Sequence, residues 1–168
     1  MIPDPLHPAV VHFPLVLAFL FPLFVGGAFW SMRRGTHARR AWALPTIVAA
    51  ALAGSAWVAV ETGEAQGDRV ERVVGERPMD AHEELAETFL TVAAIVAAVA
   101  AAGLATGIVG RAARALTIVG SLALVGVVIP VGHTGGQLVY RHGAASAYTT
   151  AGGPSQTAAS RSREATDE

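Results

Sequence analysis

The 168-residue chain is 52% hydrophobic and only 15% charged, with a mean hydropathy of +0.46 and a formal net charge of −1. A water-soluble domain carries about 25% charged residues, so polar cover is short here, and the near-neutral balance offers no basic field to nucleic acid. Cysteine is absent, which excludes disulfides, thiolate metal sites, covalently attached c-type haem and cysteine nucleophiles.

In chain order, the first apolar run, 9–30, contains no formal charge. At about 1.5 Å per residue it is long enough to cross a hydrocarbon core of roughly 30 Å. It is not expected to be a cleavable signal, because an Asp and no cation precede it and no A-x-A site follows. Further spans are predicted at 41–60, 82–109 and 114–141. The fold class is therefore all-α, an integral membrane four-helix bundle over residues 1–144. Pro14, Pro22, Pro45 and Pro130 fall within or at the ends of the runs, which a membrane tolerates where neighbouring groups satisfy the freed carbonyls. Small residues from Ala93 to Ala105 let backbones approach closely, and Gly103 with Gly107 reads as a packing pair on the third helix. Segment 145–168 is rich in Ala, Ser, Thr and Gly without apolar periodicity, and is expected to be disordered.

The connecting segments set an expected orientation. Loop 31–40 holds Arg33, Arg34, Arg39 and Arg40 with no acid, and loop 110–114 holds Arg111 and Arg114, again with no acid. The segment from Glu61 to Glu84 mixes Arg69, Arg72 and Arg77 with eight acids. The positive-inside rule then puts the two arginine loops in the cytoplasm of a bacterial inner membrane, with both termini outside.

That topology sorts the six histidines. His37 lies in an arginine loop and reads as solvated, whereas the other five fall at the outer face. His12 sits more than a turn inside an apolar run, between Val11 and Phe13, where an imidazole needs a partner. His7 precedes Pro8, and Pro favours a first helical position, so His7 reads as the flank of a helix start. Asp80 with Glu83 resembles a capping box, which sets His82 in the first turn of the third helix. Glu83 and Glu87, one turn apart, can orient an imidazole or form a solvated acidic face. His133 is followed by Thr134, Gly135 and Gly136, whose glycines allow a bulky group to come close. His142, nine residues on, falls on the opposite helical face, while Tyr140 shares the face of His133. Tyr140, Trp30 and Trp57 read as interfacial anchors. Ionisable groups beside membrane spans are costly to bury, so the outer cluster is a candidate site.

Two stretches carry a resemblance. HPAVVHFPLVL (His7 to Leu17) and GHTGGQLVYRHG (Gly132 to Gly143) resemble an uncharacterised bacterial family of four-helix membrane proteins that pairs an HPxxVHFP start with a GxxGGxLVYxHG end. Some members carry ETGxxA and HExLA between these, here Glu61-Thr62-Gly63-Glu64-Ala65 and His82-Glu83-Glu84-Leu85-Ala86. The resemblance implies the same bundle in the lipid bilayer and an association with respiratory-type redox proteins on the non-cytoplasmic side.

Three chemistries remain open. Histidines on facing helices hold haem b without covalent attachment, and His12, His82 and His133 are the residues expected to do so for electron transfer. The alternative is a zinc, copper or iron ion on His7, His12, His82, His133, Glu83 and Glu87. The third reading is a structural or assembly subunit without cofactor. His82-Glu83-Glu84-Leu85-Ala86 lacks the second histidine of H-E-x-x-H, and no P-loop or G-x-S-x-G occurs, so no enzymatic activity is assigned.

Overall fold

The computed structural model describes residues 5–149. Their elements are α1 (His7–Val10), α2 (His12–Arg33), α3 (Ala38–Val74), α4 (Glu76–Ala102), α5 (Gly107–Tyr140) and α6 (Ser146–Thr149). Four segments are long and apolar enough to cross a membrane: His7–Arg33, Ala38–Val74, Glu76–Ala102 and Gly107–Tyr140. The long helices close into a ring, each packed on two neighbours in the order α2, α3, α4, α5 and back to α2.

Phe21, Trp42, Leu52, Leu124 and Val128 fill the centre, between small residues such as Ala18, Ala56, Ala93 and Ala100 that bring the backbones together. Large apolar side chains also cover the outside. Leu23 and Ile108 are each 70% exposed and Phe13 68%, an outer surface suited to hydrocarbon and not to water.

The spans differ from the expected ones at their ends. α3 runs on past Val60 to Val74 through a charged stretch, and at 37 residues it is about 55 Å long, far more than a bilayer core needs. The extension is held by a second small apolar cluster of Val70, Val74, Met79, Leu138 and Ala144. Gly75 alone joins α3 to α4; its φ of +85° lies in the left-handed region, where a side chain would be strained. α4 therefore starts at Glu76, earlier than expected. Asp80 and Glu83 lie inside the helix, and no side chain caps its N-terminus. α4 also ends earlier, at Ala102, so Gly103 and Gly107 bracket the turn to α5 and do not form a pair along one helix. Of segment 145–168, residues 145–149 are described and carry α6, whose Tyr148 hydroxyl donates to Gln66 Oε1 on α3 at 3.0 Å. The remainder lies outside the described residues.

The end of the bundle bearing the arginine loops is tightly packed. The buried Trp42 indole donates its N–H to the Ala100 carbonyl at 2.9 Å, and Thr46 donates to the same oxygen at 3.2 Å. The buried Arg114 donates to the Gly103 carbonyl at 2.6 Å, satisfying an orphan acceptor at the end of α4.

Candidate functional site

The opposite end is built differently. Pro14 has no N–H to return to the Val10 carbonyl, and the first span breaks at Val11 into α1 and α2. The α1 turn carries His7 back against α3. There the His7 Nδ1–H donates to the Ala59 carbonyl at 2.8 Å, a bond in which only the ring can be donor. His82, on α4, reaches across to α5, with its Nδ1 2.9 Å from Thr134 Oγ1. With its own proton on the Pro130 or Val131 carbonyl, 3.1 Å from each, the Thr134 hydroxyl has a lone pair to accept from His82 Nδ1–H. Both rings are thus held through Nδ1. Neither Nε2 makes a hydrogen bond among the described residues, and a ring that donates through Nδ1 keeps its lone pair there.

The two imidazoles lie side by side in the fold, with centroids 6.5 Å apart and planes crossed at 81° in an edge-on, T-shaped contact. Each rests on a glycine of the neighbouring helix. A Cβ at Gly63 would stand 3.1 Å from His7 Cε1, and one at Gly135 would stand 3.1 Å from His82 Cε1. No larger residue fits at either place without moving the ring. Two cavities adjoin the pair, of about 460 and 420 Å³, each within the range of roughly 300–1,000 Å³ typical of small-molecule sites. His7, His82, Val60, Ala86 and Gly135 border both, so the imidazole pair stands on the partition between them. The first cavity is lined by Glu64 of α3 and by Glu83 and Glu87 of α4; the second is bordered by Phe89 and Val131.

The other candidates lie elsewhere. His12 is exposed, at the rim of the second cavity. His133 is exposed and borders neither cavity; its Nε2 is 2.9 Å from Gln137 Nε2 on its own helix, from which it accepts a hydrogen bond. Tyr140 shares that outward face and is 92% exposed. His142 follows the end of α5, and His37 is exposed beside the arginines. The structure brings together His7 and His82, with Glu83 and Glu87 lining the first cavity beside them, and does not bring His133 to them. Among the described residues no group of three or more His, Cys, Asp or Glu side chains converges as a metal ion would need.

Sequence reasoning left Thr134, Gly63 and the Ala59 carbonyl unassigned. The two glycines were nonetheless visible inside the ETGEA and GHTGG stretches, as small residues that a packed ring requires.

A family model described as "Predicted membrane protein (DUF2231)" matches residues 3–147. No curated protein and no solved structure matches the chain.

Proposed function

The chain belongs to the DUF2231 family of membrane proteins, and we propose that it is a b-type cytochrome whose His7 and His82 hold one haem at the acidic end of the bundle. The observation that carries this reading is the pair of adjacent imidazoles, each pinned by Nδ1 and neither with a hydrogen bond at Nε2. With ring centres 6.5 Å apart, His7 and His82 are close enough for one bound group to engage both rings.

The number of donors also favours haem over a bare ion. A zinc, copper or iron site asks three or four ligands of the protein, whereas a porphyrin brings four nitrogens and asks for two. Cavities on both sides of the pair leave room for a flat ring between them, with Phe89 and Val60 as apolar walls. Nδ1–H bonds to a carbonyl and to a hydroxyl orient ligating imidazoles and raise their basicity. Bound there, haem supplies one-electron transfer, and a single site at one end does not carry electrons across the bilayer by itself.

The test is the visible spectrum of the full chain purified in detergent. A Soret band and a sharp reduced α-band are expected, lost in His7→Ala and His82→Ala and kept in His12→Ala and His133→Ala. A protein without haem bands when produced with ample haem, or one that loses them only with His133→Ala, overturns the assignment.

The same reading includes the orientation, with the arginine loops cytoplasmic and the haem outside. Because the chain has no cysteine, single cysteines can report it. In intact cells an impermeant maleimide should label Asp68→Cys and leave Thr36→Cys unlabelled; the reverse pattern overturns the sidedness.

A further inference from the structure

The two rings are hung from separate helices. His7 is tied to the α3 main chain at Ala59, whereas His82 is tied to a side chain of α5, the Thr134 hydroxyl. Rotation of an imidazole about its terminal torsion is soft, so the partner at Nδ1 decides where the plane settles. Gly63 and Gly135 border one edge of each ring, where an added Cβ would stand 3.1 Å from Cε1. The anchors share no residue, and together they leave the planes 81° apart.

Plane angle matters to an iron held between two imidazoles. Parallel rings donate π density to the same iron d orbital and split it from its partner. Crossed rings each address a different orbital, leaving the two nearly degenerate, so orbital momentum is retained and the ferric signal becomes strongly anisotropic. Axial ligation and the hydrogen bonds behind it are the protein's means of adjusting such a centre. On the haem reading above, we propose that this bundle imposes crossed axial imidazoles, and that Thr134 is the positioning residue that holds the crossing. The closest partner of His7 is a main-chain carbonyl, which no side-chain substitution removes, whereas the hydroxyl that holds His82 can be deleted at Thr134.

Low-temperature electron paramagnetic resonance of the oxidised full chain, with haem content measured on the same sample, tests this. The parent protein should show one large-g, strongly anisotropic low-spin feature. Thr134→Val, which keeps the shape and deletes the acceptor, should convert it to a rhombic low-spin or partly high-spin spectrum at unchanged haem content; Thr134→Ser should keep the parent spectrum. A rhombic signal from the fully haem-loaded parent overturns the crossed arrangement. A Thr134→Val spectrum identical to the parent's overturns the role of Thr134. Absence of haem from the parent instead removes the cytochrome reading, and the crossing with it.

Discussion

The two ends of the bundle use one device for different purposes. At the arginine end the Trp42 indole donates across to the Ala100 carbonyl of α4; at the acidic end the His7 ring donates across to the Ala59 carbonyl of α3. Both are aromatic N–H groups that tie one helix to the main chain of another. The indole has one nitrogen and spends it, and the ring is fully buried against Phe29 and the Gly103 turn. The imidazole has a second nitrogen left over, and cavities lie beside it. What separates a structural anchor from a candidate site here is an unspent lone pair with space in front of it.

The largest contrast should come from truncating each ring. Trp42→Ala removes a buried indole and its hydrogen bond, and should destabilise the bundle by about 3 kcal/mol, the low end for such truncations because helices in lipid lack the hydrophobic drive of a soluble core. Its folded fraction should still hold haem. His7→Ala and His82→Ala should do the converse, abolishing the haem spectrum while membrane yield and detergent melting of the apoprotein change little. If Trp42→Ala lost haem before losing its fold, the division between the two ends would fail.

A smaller effect separates the two imidazoles. Gly63→Ala and Gly135→Ala each place a methyl 3.1 Å from a ring that must give by a few tenths of an ångström. His7 rides on a four-residue turn next to a break and can shift, whereas His82 is set within the 27-residue α4. Haem dissociation, followed by transfer to a soluble acceptor globin, should therefore quicken more in Gly135→Ala than in Gly63→Ala. Equal or inverted rates would show that the turn is no softer than the helix.

The mildest effect is that of pH. Neutral imidazole is the ligating form, so protons compete with iron for Nε2, and an unperturbed histidine takes up its proton near about pH 6.5. Haem occupancy should fall as pH drops well below that value on the acidic side of oriented vesicles, and stay level when only the arginine side is acidified. Trp42 has no titrating group, so fold stability at its end should not follow. Loss of haem on acidifying the arginine side alone would place the site at the wrong end.

How much was legible differs between fold and site. The spans, the arginine loops and the collection of histidines at the opposite end are written in composition, because charge is excluded from hydrocarbon and whatever remains polar marks the ends. Segment ends were less legible. α3 leaves the apolar run at Val60 and continues as a helix because Val70 and Val74 find Met79 and Leu138 to pack against, contacts that no hydropathy window contains.

Which histidines meet was decided only by tertiary structure. In a soluble helix the polar face announces which way is out, but a membrane helix is apolar towards both lipid and bundle, so its pattern leaves the rotation about its own axis open. His12, inside an apolar run, reads from sequence as the buried ring, and His7, beside a proline, as a mere flank. In the folded protein His12 is exposed, and the break at Val11 turns His7 inward onto Ala59. The sequence determined by itself that imidazoles gather at one depth in a four-helix membrane bundle. Only the packing of α1 on α3 and of α4 on α5 chose His7 and His82, because rotation and helix breaks are settled by contacts between segments far apart in the chain.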